Sequence, residues 1–157
     1  MEFPRMIPVR QVFDSGRVED IEGELTRRIT ASGALAQVKP GMRVAVTAGS
    51  RGIHNIPRIL RTVIGLLRDA GARPFIVPAM GSHGGGSAAG QAEMLASLGI
   101  TGEAMEAPVL SSMETVDLGR TPDGAPVYMD VNAFNADGIV VINRIKFNSW
   151  IFIRKID

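Results

Sequence analysis

The sequence predicts an α/β protein organised on a mainly parallel sheet, and three observations carry that expectation. Between residues 42 and 98, short β-branched runs alternate with helical stripes in the order strand, loop, helix, strand, loop, helix. Such an order calls for parallel strands joined by right-handed crossovers. The run Gly138-Ile139-Val140-Val141-Ile142-Asn143 is continuously apolar, as a strand buried on both faces must be, and is expected at the sheet centre. Hydrophobic residues make up 45% of the chain against 21% charged, a globular balance, and 157 residues suffice for one core. The expected architecture is a three-layer, Rossmann-like arrangement in a single domain.

Each element has a local reason. Residues 7–13 alternate enough for a short edge strand in which Pro8 is tolerated. Ile21, Leu25 and Ile29 then repeat every four residues, marking one apolar stripe of a helix over residues 18–31 that Gly33 ends. The Pro40-Gly41 turn introduces a strand over residues 42–47. After a polar loop, Asn55 is the expected N-cap of a helix, with Pro57 in its first turn. Ile56, Ile59, Leu60, Val63 and Leu67 form its buried face, and Gly71 closes it. Phe75-Ile76-Val77 is a second buried strand, and Ser87 is placed to cap a third helix reaching Leu98. Beyond Gly99, short strands are expected at Val109-Leu110, at residues 115–118 and at residues 127–129, with a Pro122-Asp123-Gly124 turn before the last. A short helix is expected over residues 131–136, flanked by Asp130 and Asp137 as caps.

Composition narrows the function classes. Lysine and arginine number 17 against 16 acids, a net charge of +1, so nothing favours nucleic acid or an anionic membrane as partner. The absence of cysteine removes disulfides, thiolate metal sites and a cysteine nucleophile, and is compatible with a reducing cytoplasm, the expected location. With two histidines besides, no self-sufficient metal cage is expected. The first eleven residues lack the apolar stretch of a signal peptide, and no apolar run approaches the roughly 20 residues that span a bilayer.

Two loops remain as carriers of chemistry. In a parallel sheet the strand C-termini share one edge, where ligands of open α/β sheets bind. Gly49-Ser50-Arg51-Gly52 follows one strand, and Gly81-Ser82-His83-Gly84-Gly85-Gly86 follows the next. If those strands are neighbours, roughly 5 Å apart, Arg51 and His83 face one cavity. The Arg51 fork matches a carboxylate or phosphate bidentately, a solvated surface arginine being the alternative. His83 is a candidate general base or acid, the alternative being a histidine that only bonds its own turn. The glycines let backbone approach a ligand closely, and each loop feeds a helix N-terminus, whose N–H groups favour an anion. Their spacing fits neither a dinucleotide fingerprint nor a P-loop. His54, just before a cap, is read as a structural or exposed residue, a functional role being the alternative. Glu103, Glu106 and Glu114 are expected to stay solvated. The expected ligand is therefore a small carboxylate or phosphate.

At Thr47-Ala48-Gly49-Ser50-Arg51-Gly52-Ile53, Gly81-Ser82-His83-Gly84-Gly85 and Asn143-Arg144-Ile145-Lys146, the chain resembles the N-terminal domain of the nickel-dependent lactate racemase family, from Val38 onward. The resemblance implies a two-domain α/β isomerase in which a nickel-pincer nucleotide takes a hydride from C2 of a 2-hydroxy acid while a histidine removes the hydroxyl proton. It implies that Arg51, with Ser50, holds the substrate carboxylate and that His83 is one of two acid–base histidines. Ala48 stands where the family's motif has aspartate. Phe147-Asn148 stands where the family continues with Pro-His, its second histidine. Residues 1–146 are accordingly expected to form the racemase-like domain and residues 147–157 a divergent tail, from a frameshift, a truncation or a rearranged end; a genuine terminal strand at Trp150-Ile151-Phe152-Ile153 is the alternative. On this reading the chain alone neither turns over nor binds the nucleotide stably, and homo-oligomers form through the face left by a missing second domain. A second reading keeps the same loops as a non-catalytic anion- or nucleotide-binding module.

Overall fold

The computed structural model describes residues 10, 16–50 and 53–144. The expected strand over residues 7–13, Arg51, Gly52 and the divergent tail lie outside these residues. Helix α1 (Ile21–Ala31) starts at Asp20, whose carboxylate accepts from the Gly23 amide at 2.9 Å, and Gly33 follows its end at a φ of 72°. Strand β1 (Arg43–Ala48), helix α2 (Ile56–Asp69), strand β2 (Arg73–Pro78) and helix α3 (Ala88–Ser97) follow in the expected order. The short helix α4 (Gly102–Met105) had no apolar stripe to announce it. Strands β3 (Thr115–Arg120) and β4 (Pro126–Asp130), helix α5 (Val131–Phe134) and strand β5 (Gly138–Val140) complete the described chain.

The architecture is mixed α/β: a three-stranded parallel sheet in the order β2-β1-β5 and a separate antiparallel hairpin of β3 and β4. Arg43 to Ala48 pair in register with Arg73 to Pro78, so the two strands end together. The expected Val109-Leu110 strand is a single parallel bridge from Val109 to Ile76. One expectation is corrected. Among the described residues the run beginning at Gly138 is an edge strand of three residues, and β1 is the centre. Ile139 and Val141 are 40% and 71% exposed, whereas Ala45 and Val46 are fully buried. An apolar run states that a segment tolerates burial; it does not say which strands pair with it.

Alternation along β1 and β2 divides the core between the two sheet faces. Val44, Val46, Ala48 and Ile76 pack on one side with Leu60, Ile64 and Leu67 of α2 and Leu95 of α3. Ala45, Phe75 and Val77 pack on the other with Ala133 of α5. The period of two in the strands and the i, i+4 spacing in α2 produce both layers from sequence alone. Asp137 closes the lower edge: its side chain accepts from the Arg43 amide at 2.7 Å, and its own amide donates to the Arg43 carbonyl at 2.8 Å. Asp130 caps α5, accepting from the Ala133 amide at 2.9 Å. Asn55 does not cap α2. It takes a left-handed conformation (φ 58°) and its side chain makes no cap bond, so the helix begins without side-chain help. No helix among the described residues is long and apolar enough to cross a membrane.

Candidate functional site

The equal ends of β1 and β2 place their following loops side by side, and the Ala79 amide donates to the Ala48 carbonyl at 2.8 Å just past the strands. Across that junction Ser50 Oγ and His83 Nδ1 lie 2.5 Å apart, a short hydrogen bond between residues 33 positions apart in the chain. The strand-end argument thus brings Ser50 and His83 together at the edge it named. Arg51 and Gly52 lie outside the described residues.

Ser50 and His83 border a cleft of about 410 Å³. Thr47 and Asn143 add a hydroxyl and a carboxamide, and Ile53, Met80 and Ile142 supply apolar wall. None of the described lining residues is a carboxylate, so a bound anion meets no like charge from them. Thr47 is fixed by the Ile142 amide, which donates to its Oγ1 at 3.0 Å and carries the β5 chain past the end of its strand pairing. Thr47 and Asn143 entered the sequence reading only as members of quoted runs, with no role of their own. The available signal was positional: both sit at the C-terminal ends of runs that form parallel strands.

The glycine loop explains how His83 is held. Gly84, Gly85 and Gly86 all have φ between 62° and 68°, three consecutive residues in the left-handed region that side chains disfavour. At Gly84 there is a second reason: a Cβ there would lie 2.4 Å from the Gly90 carbonyl carbon, in the first turn of α3. The glycine at 84 is therefore required by packing inside the protein, whereas Gly81, Gly85 and Gly86 have nothing within 4 Å of a Cβ position. Ser87 caps α3 as expected, accepting from the Gly90 amide at 3.1 Å. Ser82 is exposed and does not line the cleft among the described contacts. Gln91, 5% exposed, anchors the loop from beneath through Nε2 to the Gly81 carbonyl at 2.8 Å. An amide on an otherwise apolar helix face was the sequence signal for that role.

Three carboxyls outside the cleft are engaged by arginines. Glu24 accepts from Arg27 and Arg28, at 2.8 and 2.6 Å, and these hydrogen bonds pull its carboxyl down to about 2. Glu22 is lowered by its bonds from Arg58, and Glu106 by its bond from Arg68. Glu103 and Glu114 are exposed as expected. Among the described residues no three His, Cys, Asp or Glu side chains converge to hold a metal ion. No protein-family profile, curated protein or solved structure matches the chain.

Proposed function

We propose that the cleft between the two strand-end loops binds a small 2-hydroxy carboxylate, with Arg51 and Ser50 on the carboxylate side and His83 exchanging the proton of the substrate hydroxyl. The observation that carries this reading is the Ser50–His83 hydrogen bond over a cleft without described carboxylates. A histidine whose Nδ1 is engaged by a side-chain hydroxyl is fixed in orientation and, as an imidazole, can exchange a proton. Serine is both donor and acceptor, so it accommodates either imidazole tautomer. The imidazole can therefore be a base toward the hydroxyl of the acid or a donor toward the carbonyl of the keto form.

The function is the one implied by the resemblance to nickel-dependent lactate racemases, and the architecture we propose is the three-layer, Rossmann-like one, supported by core packing on both sheet faces. The family's nickel-pincer nucleotide would supply hydride transfer at C2. The described residues offer no ligand set that fits its metal, so only carboxylate binding and proton exchange are assigned to this chain. Calorimetric titration of lactate and related hydroxy acids is the test. Arg51→Ala and His83→Gln should each weaken binding about tenfold or more, the size of one charge-assisted contact. Equal affinities for wild type and Arg51→Ala would remove the basis of the proposal.

A further inference from the structure

We infer that a second ligand site lies beside the His83 cleft, between the end of β2 and the β3–β4 hairpin, and that it takes a neutral, polyhydroxylated ring such as a sugar. Ala79 and Met80 line both clefts, so the two adjoin along the edge where the strand-end loops lie. The second cleft is of about 390 Å³, within the range of small-molecule pockets. The hairpin supplies one wall. Tyr128 and Asp130 are two apart on β4 and share a face, and Thr115 of β3 stands opposite Asp130 in the pairing, so all three are presented together. Ser112 and Met113 lead into β3 and line the same cleft, as does Gln91 of α3.

Gln91 is the group that points to a ligand. It is 5% exposed, and its amide has one orientation, because only Nε2 can face the Gly81 carbonyl to which it donates at 2.8 Å. Oε1 then accepts no hydrogen bond from the protein. Among the described residues no buried side-chain nitrogen or oxygen lacks a partner, so Oε1 is open to the cleft that Gln91 lines. Asp130 is half engaged: one carboxylate oxygen caps α5 through the Ala133 amide at 2.9 Å, leaving the other as an acceptor. Ser112 Oγ accepts from the Glu114 amide at 3.0 Å, which leaves its proton to donate. Thr115 and Tyr128 add hydroxyls that both give and accept. Donors and acceptors interleaved in one cleft match neighbouring alcohols, each of which also gives and accepts; an ammonium would satisfy only the acceptors and an oxyanion only the donors. The Tyr128 ring, 59% exposed, and Met113, 51% exposed, offer apolar surface to the C–H face of such a ring.

The test uses the full chain and the ring signals of Tyr128, its only tyrosine, in 1H–13C spectra. Methyl β-D-glucopyranoside or myo-inositol should give saturable shifts with a Kd of roughly 1–10 mM, the level of a few neutral hydrogen bonds. Cyclohexanol, a ring with a single hydroxyl, should bind about tenfold or more weakly. Asp130→Asn keeps the α5 cap, since asparagine caps as well as aspartate, and should weaken the polyol about tenfold. Thr115→Val should weaken it about threefold or more. Arg51→Ala should leave it unchanged, because a neutral ring makes no call on the carboxylate site, so this inference and the hydroxy-acid reading fail separately. No saturable shift with either polyol, equal affinity for cyclohexanol, affinities unaltered in both Asp130→Asn and Thr115→Val, or loss of binding in Arg51→Ala overturns the second site.

Discussion

Replacing Gly90 by alanine sets two physical effects against each other and lets the structure decide the sign. Glycine inside a helix costs about 0.5–1 kcal/mol relative to alanine, so propensity alone predicts that Gly90→Ala stabilises α3. The packing predicts the reverse. An added Cβ would lie 2.0 Å from the Gly84 carbonyl oxygen and 2.9 Å from Ser87 Oγ, and no rotamer relieves a clash with backbone. Reaching even 3.0 Å requires the first turn of α3 and the Gly84 turn to part by about 1 Å, and overpacking of this kind costs roughly 1–3 kcal/mol. The net expectation is a loss of about 1–2 kcal/mol. Gly65→Ala is the matched control, because nothing lies within 4 Å of its Cβ position in α2; it should gain about 0.5–1 kcal/mol. Urea unfolding followed by circular dichroism reads both variants, with midpoints moving in opposite directions at constant slope. If Gly90→Ala shifts its midpoint upward as Gly65→Ala does, the close approach of Gly84 to Gly90 is wrong, and with it the account of how the loop holds His83.

Three further perturbations test separate parts of the structure. Ser50→Ala should change the imidazole 15N shifts of His83 and Ser50→Thr should restore them; the chain has two histidines, so His54→Asn assigns the spectrum, and unchanged shifts in Ser50→Ala would disprove the pairing. Leu60 is fully buried in the helix–sheet layer, and Leu60→Ala should cost about 2–5 kcal/mol in chemical unfolding. Glu24 has a folded carboxyl pulled from 4.5 to about 2, so its stabilisation is complete above 4.5 and lost as pH falls toward 2. In acid titrations the gap between wild type and Glu24→Gln should be constant near neutrality and close across that window; a constant gap down to pH 2 would show the pairing to be ineffective in solution.

The parallel pair β1–β2 and the helix between them were legible because each signal was local: β-branched runs, an i, i+4 stripe and punctuating glycines. From that order alone it followed that the Ser50 and His83 loops share an edge, and the hydrogen bond between them is the consequence. The place of Gly138 in the sheet was illegible because strand neighbours are chosen by the whole topology, not by the strand's own composition. Asn55 shows another limit. Its identity favours capping, but its backbone is left-handed and its side chain makes no cap bond. The partners of Thr47 and Gln91, the Ile142 amide and the Gly81 carbonyl, were not legible, because position and an amide on an apolar face mark a residue as engaged without naming the segment that engages it.

Ala48 links the resemblance to the electrostatics of the cleft. It stands where the racemase motif carries an aspartate, and its side chain is fully buried in the helix-side core cluster. A carboxylate at that position would have to be paired or turned toward the cleft, since an unpaired buried charge costs several kcal/mol. Alanine makes neither demand. Its side chain faces that core and is not among the described residues lining the His83 cleft. The core packing at position 48 thus disfavours an acid whatever the cleft binds.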